Sequence, residues 1–255
     1  TNGNFTGIRI MGVFQNNLMA GAVAATAGGG AFYSHQIEHS ARFDRADQSY
    51  LTQDFGTLTA AKWTVSLWFK RVELGYAYST LIGRTDGGAQ LYFNSDDTLQ
   101  NDSQYVNKPA GLYRDTTGWT NLVYNQKTVN TAAAWVNGVS RTVTVSSSGS
   151  FLIPWHTTSA IGNISGTGNT RFFDGYMAEI VGVYDQDLSN TNFGEFKNGV
   201  WIPIEPNVTF GSNDYYLKFE NASDLGNDSS GNNNDWTVNN MGTDHQVLDS
   251  PTFGS

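Results

Sequence analysis

Short apolar and aromatic runs alternate with turn residues through most of the chain, a pattern typical of a β-sandwich. In residues 63–70, every second side chain from Trp63 to Phe69 is apolar, and Trp68 lies on the opposite face. This alternation predicts a central strand. The candidate strands are Ile37–Phe43, Trp63–Lys70, Thr80–Gly83, Ala89–Phe93, Trp119–Asn125, Ala132–Val136, Val139–Val145, Thr158–Ile161 and Gly175–Tyr184.

The clearest turn is Asn137-Gly138, which separates two apolar runs. Both central positions of a two-residue type I′ hairpin need positive φ, which Asn and Gly tolerate best. These two residues therefore predict a β-hairpin. Helix signals are few, and the best is Ser189, which predicts a short capped segment through Phe196.

The first 35 residues contain a stretch rich in Gly and Ala that shows neither strand alternation nor helix caps. We interpret residues 1–35 as an N-terminal arm or linker. A purely flexible linker rarely carries large apolar groups, yet this one contains Phe14, Leu18 and Met19. Two interpretations stay open, a flexible lead-in or an arm that docks on another subunit, and we predict docking in a homo-oligomer or on a particle.

Composition and charge exclude several classes of partner. The formal net charge of −9 argues against binding a phosphate backbone, which needs clustered Lys and Arg, so we expect no nucleic acid. No apolar run approaches the ~18 residues of a membrane span, so we expect a soluble protein with no membrane partner. Cysteine is absent, so the fold uses no disulfides.

Four segments, taken in order, resemble the laminin G-like, concanavalin A-like lectin/glucanase superfamily. They are residues 40–51 (SARFDRADQSYL), 63–70 (WTVSLWFK), 118–124 (GWTNLVY) with 134–139 (AWVNGV), and 173–189 (FDGYMAEIVGVYDQDLS). The resemblance implies an all-β fold, a two-sheet antiparallel jelly-roll sandwich over residues 36–197. It also implies ligands bound at a loop rim or on a concave face. Fold alone does not establish function.

The C-terminal segment, residues 198–255, contains a piece that the family pattern usually places at the front. Residues 215–220 form an apolar strand pattern, and residues 228–238 contain Asp-Ser-Ser-Gly-Asn. The segment could begin another repeat, lie on the surface as an extension whose Asp-Ser-Ser-Gly-Asn is only a turn, or close the same sandwich in circularly permuted order. We favour permuted closure, because chain ends of such domains often lie close together.

Residues 14–18 (FQNNL) of the arm, the jelly roll, and the C-terminal tail from residues 201–205 (WIPIE) to 249–252 (DSPT) together also resemble virion proteins of tailed phages. This resemblance implies a non-enzymatic virion surface protein, either a capsid decoration protein or a tail appendage. Its partners would be other virion subunits or itself, with a surface glycan as a further ligand. The alternative is a secreted or cell-surface carbohydrate-binding module, located outside the cell.

Two patterns that would indicate catalysis are incomplete. His35, Glu38 and His39 match a zinc-protease spacing, but strand alternation would set the two imidazoles about 13 Å apart, too far to share one ion. Glucanases of this fold need carboxylates spaced along one strand, and Glu179 stands alone on its predicted strand. We therefore predict no catalytic residues.

Binding residues are predicted in the loops. Calcium is the one ion that the resemblance implies at the rim, with candidate ligands Asp86, Asp96, Asp97, Asp174 and Asp228. Each of these alone commonly forms a turn, and no cofactor is required by the pattern. Aromatic rings that stack on sugars are expected among Tyr76, Tyr78, Tyr105, Tyr113 and Trp155, whereas Trp63, Trp119 and Trp135 fit the core.

Overall fold

The computed structural model describes residues 32–60, 62–86, 91–102, 106–128, 131–145, 155–157, 159–164 and 171–252. Phe14, Leu18, Met19 and Tyr105 lie outside these ranges. The chain divides into two units, Thr1–Ser34 and His35–Ser255. The arm predicted for residues 1–35 stays a prediction.

The second unit is built from short antiparallel strands, and its described residues contain no α-helix. Accordingly, no helix in these ranges is long and apolar enough to cross a membrane. The strands are β1 Ser40–Phe43, β2 Tyr50–Gln53, β3 Trp63–Arg71, β4 Ser79–Arg84, β5 Leu91–Phe93, β6 Leu99–Asp102, β7 Val106–Pro109, β8 Thr120–Thr128, β9 Thr131–Val136, β10 Val139–Arg141, β11 Val143–Val145, β12 Ser159–Ile161, β13 Gly175–Tyr184, β14 Gly194–Lys197, β15 Val200–Pro203, β16 Tyr215–Leu217, β17 Thr237–Asn239 and β18 Gln246–Val247.

Two eight-stranded sheets form the sandwich. The first sheet has the order β10-β9-β8-β3-β13-β1-β18, and β16 also pairs with β13. The second has the order β11-β7-β6-β5-β4-β12-β2-β17, and β14 and β15 form a separate hairpin. The predicted all-β fold with two antiparallel sheets is confirmed.

The core between the sheets follows the alternation read from the sequence. Trp63, Val65, Leu67 and Phe69 of β3 all point into it. Trp68 lies on the other face of the first sheet, where it packs with Ile37, Ala178 and Trp201. We call this other face the outer face. It is covered locally by the β14–β15 hairpin and by residues 35–37, which explains why Trp68 is also buried.

The C-terminal segment supplies strands to both sheets. Its strand β16, which covers residues 215–217 of the apolar pattern at 215–220, pairs with β13. Next, β17 pairs with β2 of the second sheet, and β18 pairs with β1 of the first. Tyr215, Leu217 and Phe219 enter the core between the sheets.

Two of the predicted elements were wrong in detail. The single strand predicted over residues 139–145 is split at Thr142, because β10 pairs with β9 in the first sheet whereas β11 pairs with β7 in the second. The segment capped by Ser189 is only a 3-10 turn, Asn190–Asn192. It stops there because the chain enters β14 at Gly194.

The Asn137-Gly138 hairpin gives a test that separates backbone strain from packing. Gly138 has a φ of +75°, and a Cβ there would lie 2.1 Å from Cε3 of Trp201. Gly199 has a φ of +82°, but no described atom lies within 4 Å of its Cβ position. Gly199→Val should therefore lose about 1–3 kcal/mol of unfolding free energy from strain alone. Gly138→Val should lose at least about 1 kcal/mol more from overpacking.

Urea denaturation of both variants and the parent measures this difference. Equal losses would show that Trp201 does not pack on the turn.

Truncation tests the role of the C-terminal strands. A chain ending at Pro206 loses β16, β17 and β18 and leaves the edges of both sheets and part of the core uncovered. We expect an insoluble product, or a soluble one with far-UV but no near-UV circular dichroism. Leu217→Ala in the full chain is a milder test, and it should lower the free energy of unfolding by about 2–5 kcal/mol. A truncated chain that melts like the full chain would contradict this account.

Candidate functional site

Three loop segments meet at one end of the sandwich, and we call residues 44–49, 72–78 and 171–174 the rim. Tyr78, one of the predicted sugar-stacking residues, is 37% exposed there. Its ring stacks on that of Tyr92 with the centroids 5.2 Å apart. The guanidinium carbon of Arg171 lies 4.3 Å from the centroid of the Tyr78 ring. The ring is therefore fixed in place while part of it faces solvent.

Arg45 joins the three rim segments. Its guanidinium carbon lies 3.4 Å from the centroid of the Tyr76 ring, and its Nη2 donates to the Phe172 carbonyl at 3.1 Å. Its Nη1 forms an ion pair with Glu73. Asp174, a predicted calcium ligand, lies close by, and burial raises its pKa despite the opposing charge of Arg45.

A buried carboxylate supports the loop that carries the two tyrosines. Asp97 Oδ1 accepts from the Gly75 amide at 2.8 Å and lies 3.1 Å from Arg71 Nη2, while Oδ2 accepts from Arg114 Nε at 2.9 Å. Burial alone would raise the pKa of Asp97, but the hydrogen bonds from Gly75 and Arg114 and the charge of Arg71 outweigh it and lower the pKa. This set of donors makes Asp97 a structural anchor of the rim.

The remaining aspartates are also engaged by neighbouring groups. Asp228 accepts from the amides of Tyr216 and Asn234 and from both the amide and the hydroxyl of Ser230, at 2.7–2.9 Å. It therefore closes its own loop against β16. Asp96 Oδ1 accepts from the amide and hydroxyl of Thr98, as in a turn.

Asp86 pairs with Arg84 and lies 3.7 Å from His156 Nδ1. Among the described residues, no three His, Asp or Glu side chains converge in a way that could hold a metal ion. Calcium binding at these loops stays a prediction. The donors around Asp97 and Asp228 argue against those two residues, because N–H groups point at the oxygens that an ion would need.

Two of the predicted sugar-binding rings are buried, so their assignment needs correction. Trp155 is 1% exposed, and its Nε1 donates to the Asn213 carbonyl at 2.8 Å. Tyr113 is 8% exposed and packs on Phe93 with the ring centroids 5.8 Å apart. Both follow loop segments, but their rings fold back into the core, where burying a large apolar surface is favourable. Tyr105 lies outside the described residues, so Tyr76 and Tyr78 are the candidates at the rim.

The sequence analysis missed a second cluster, on the outer face around Glu179. Strand β13 pairs with β1 through Met177 and with β16 from Ile180, and its register with β3 shifts between Ala178 and Val181. Glu179 lies in this bulge with a φ of +47°. A bulge re-aims a side chain, and here it places the carboxylate of Glu179 on the outer face.

Two donors meet one oxygen of this carboxylate. His35 Nε2 lies 2.5 Å from Glu179 Oε1, and the Tyr216 hydroxyl donates to the same atom at 2.6 Å. The other imidazole nitrogen, Nδ1, lies 2.9 Å from Glu205 Oε2. Burial and the neighbouring Glu179 raise the pKa of Tyr216 far above its ordinary value, so its hydroxyl keeps its proton.

The cluster opens into a pocket of about 200 Å³ that includes part of its solvent mouth. Its lining residues are His35, Gln36, Ile37, Glu38, Glu179, Tyr216, Lys218 and Glu220. His39 does not line this pocket. The imidazoles of His35 and His39, whose spacing in the sequence matches a zinc protease, therefore do not share this site. Sequence reasoning could not find the cluster, because His35 and Tyr216 are 144 and 37 residues away from Glu179 along the chain.

Comparison with solved structures finds the same fold in proteins of very different sequence. A Bacteroides ovatus protein with a suggested role in carbohydrate binding is 15% identical, with a TM-score of 0.54, and the match covers 87% of this chain. The match covers 63% of that structure, so the chain spans less than two thirds of its length.

Two further structures match less closely. Domain 4 of an extracellular GH43 arabinanase from Geobacillus stearothermophilus, solved with arabinotriose, is 18% identical, with a TM-score of 0.40 and coverage of 55% of this chain and 68% of that one. The CBM40 module of the Ruminococcus gnavus IT-sialidase, solved with α2,3-sialyllactose, is 12% identical, with a TM-score of 0.40 and coverage of 62% and 96%. No curated protein sequence matches this chain significantly.

A family model built on sequences matches residues 44–192, from the rim loop after β1 to the 3-10 turn after β13. This is more than half of the 255 residues, and it contains the central strands of both sheets. The chain belongs to the concanavalin A-like lectin/glucanase superfamily.

Proposed function

We propose that the chain is a non-catalytic, lectin-like module that binds a glycan at the rim. The observation that carries this proposal is Tyr78, whose φ is +62°. A bulky residue in the left-handed region is an outlier, and strained positions of this kind cluster at ligand sites. Here the strain holds a partly exposed aromatic ring at the surface, where burial does not require it.

The chemistry around Tyr78 suits a sugar. Tyr92 and Arg171 already pack on the Tyr78 ring, so a pyranose would contact the exposed edge of this ring, and nearby polar groups would hydrogen-bond to the sugar hydroxyls. The rim supplies a second ring in Tyr76, the guanidinium groups of Arg45 and Arg171, and the carboxyl group of Asp174. The Bacteroides ovatus protein with the same fold, for which carbohydrate binding has been suggested, is in line with this proposal.

The arrangement of carboxylates supports a binding role without turnover. Glycoside hydrolysis needs two carboxyl groups that face the same bond, one of them free to donate a proton. The carboxylate of Glu179 is instead occupied on Oε1 by His35 and Tyr216. At the rim, the carboxylate of Glu73 is engaged in an ion pair with Arg45.

We further propose that the module is displayed on the surface of a virion, as a capsid decoration protein or a tail appendage. The support is the sequence pattern of the arm, the jelly roll and the tail. In this setting Phe14, Leu18 and Met19 would dock on another subunit, and the rim would face the host surface. A secreted or cell-surface carbohydrate-binding module is the alternative setting, and both place the glycan-binding rim outside the cell.

A glycan array probed with the full chain tests binding, and a substitution at Tyr78 locates it. Tyr78→Asn removes the ring but keeps a residue that tolerates positive φ, so the fold should persist. We expect the affinity for the selected glycan to fall about five- to tenfold, since loss of an aromatic contact costs roughly 1–1.5 kcal/mol. Isothermal titration calorimetry measures the change.

The matched control is Phe196→Ala, which removes a ring that is 55% exposed on the β14–β15 hairpin, outside the rim. Its affinity should equal that of the parent. If the array shows no selective binding, the glycan proposal is wrong. If the two variants lose affinity equally, the glycan does not bind at the rim.

The virion setting predicts a change in proteolysis on assembly. Buried anchors at Phe14, Leu18 and Met19 would each contribute about 1.5–3 kcal/mol before the cost of ordering the arm. We expect residues 18–30 to be cleaved readily in the isolated chain and protected in the assembled particle. Equal cleavage in both states would favour the secreted module.

A further inference from the structure

The segment that enters the sandwich before β1 lies across the outer face of the first sheet. The Ile37 side chain packs with Trp68, Ala178 and Trp201. Its amide donates to Thr252 Oγ1 at 2.9 Å, and its carbonyl accepts from the same hydroxyl at 3.0 Å. Two residues earlier, His35 bridges two carboxylates. We call residues 35–39 the entry segment.

The two contacts of His35 define its protonation state. A neutral imidazole has one N–H donor and one acceptor nitrogen. Here Nε2 is 2.5 Å from Glu179 Oε1 and Nδ1 is 2.9 Å from Glu205 Oε2, and both carboxylates can only accept. Nε2 can donate a hydrogen bond to Glu179 in either protonation state, but only the doubly protonated imidazolium carries the positive charge that makes Glu205 an ion-pair partner.

Charges that face the imidazole from the neighbouring elements mostly favour this state. Burial lowers the pKa of His35, and Lys218 after β16 lowers it further, but the hydrogen bond and charge of Glu179 and the charge of Glu205 outweigh both. The pKa of His35 is therefore raised above its ordinary value of 6.5. Of the remaining pocket residues, Glu38 and Glu220 are ionisable, and Tyr216 stays protonated as a donor to Glu179.

We propose that His35 is a pH-dependent latch, which clamps the start of the entry segment between Glu179 and Glu205 while the imidazole is protonated and loosens it when the proton is lost. The Glu179 side chain is only 7% exposed, so it keeps the one donor that a neutral ring can offer. The Glu205 side chain is 67% exposed and can turn to water. Loss of the proton therefore breaks the ion pair with Glu205, which follows β15, and keeps the hydrogen bond to Glu179.

The direction of the effect follows from the raised pKa. A base with a higher pKa in the folded state than in the unfolded state stabilises the fold fully below the unfolded value of 6.5. This contribution disappears as the pH rises through the folded value. The start of the entry segment is thus held by both carboxylates in mildly acidic solution and by Glu179 alone in mildly alkaline solution.

An NMR titration of the full chain tests the latch at the imidazole itself. The chain has 4 histidines, and the His35→Gln variant assigns the signals of His35. We expect His35 to titrate above 6.5, and Glu205→Gln to lower its midpoint by about half a pH unit or more. Glu220→Gln is the matched control, because Glu220 lines the same pocket without a hydrogen bond to the ring, and it should leave the midpoint nearly unchanged.

Amide hydrogen exchange at Ile37 tests the release. Protection factors, which remove the intrinsic pH dependence of exchange, should fall about two- to fivefold as the pH passes the His35 midpoint, as expected for loss of an ion pair to an exposed carboxylate. In His35→Gln they should be low and independent of pH from about pH 5 to about pH 9. A His35 midpoint at or below 6.5, equal shifts in the two Glu variants, or Ile37 protection that is constant through the titration would each overturn the proposal.

Discussion

Along one edge of β13 the paired strand changes from β1 to β16, and the rest of the structure depends on how β13 accommodates this change. On its other edge, β13 pairs with β3 over almost its whole length, whereas on this edge β1 and β16 follow one another. One extra residue on β13 opposite β3 takes up the mismatch, and Glu179 adopts positive φ to do so. The bulge thus lets residues from far ends of the chain join a single sheet.

The bulge also buries the carboxylate of Glu179, and groups on neighbouring segments stabilise its charge. Its acidic side chain lies on an outer face that the entry segment and the C-terminal residues largely cover, and an unpaired buried carboxylate is costly. Tyr216 on β16 and His35 on the entry segment supply the two donors. Tyr216 lies in the strand that pairs with one half of β13, and His35 precedes the strand that pairs with the other half. The hydrogen bonds to Glu179 therefore join the same elements that the bulge brings together.

Local patterns predict local structure well in this chain. The alternation in residues 63–70 defines which side of β3 enters the core, and the positive φ values of Asn137 and Gly138 match the turn read from their chemistry. The apolar face of residues 215–219 is enough to predict that this segment must be covered. Long-range features of the fold leave no periodic signal in the sequence. Two examples are the split of residues 139–145 between the two sheets and the burial of Trp155. Of the candidate site, the sequence predicts Tyr76 and Tyr78 at the rim but not the arginines that flank them, because Arg45 and Arg171 approach only in the folded chain.

Strands β1 and β13 link the rim to the latch at His35, yet their fixed pairing keeps motion at one site from reaching the other. Strand β1 leads from the entry segment at one end to Asp44 and Arg45 at the other, and β13 begins just after Asp174 of the rim and reaches Glu179. A slip of β1 by one residue would turn Ala41 and Phe43 out of the core, so its register against β13 cannot shift gradually. Motion of the entry segment must then end at Ser40, where β1 starts. Loosening of His35 would then change the outer face while the pairing of β1 with β13 keeps the rim in place.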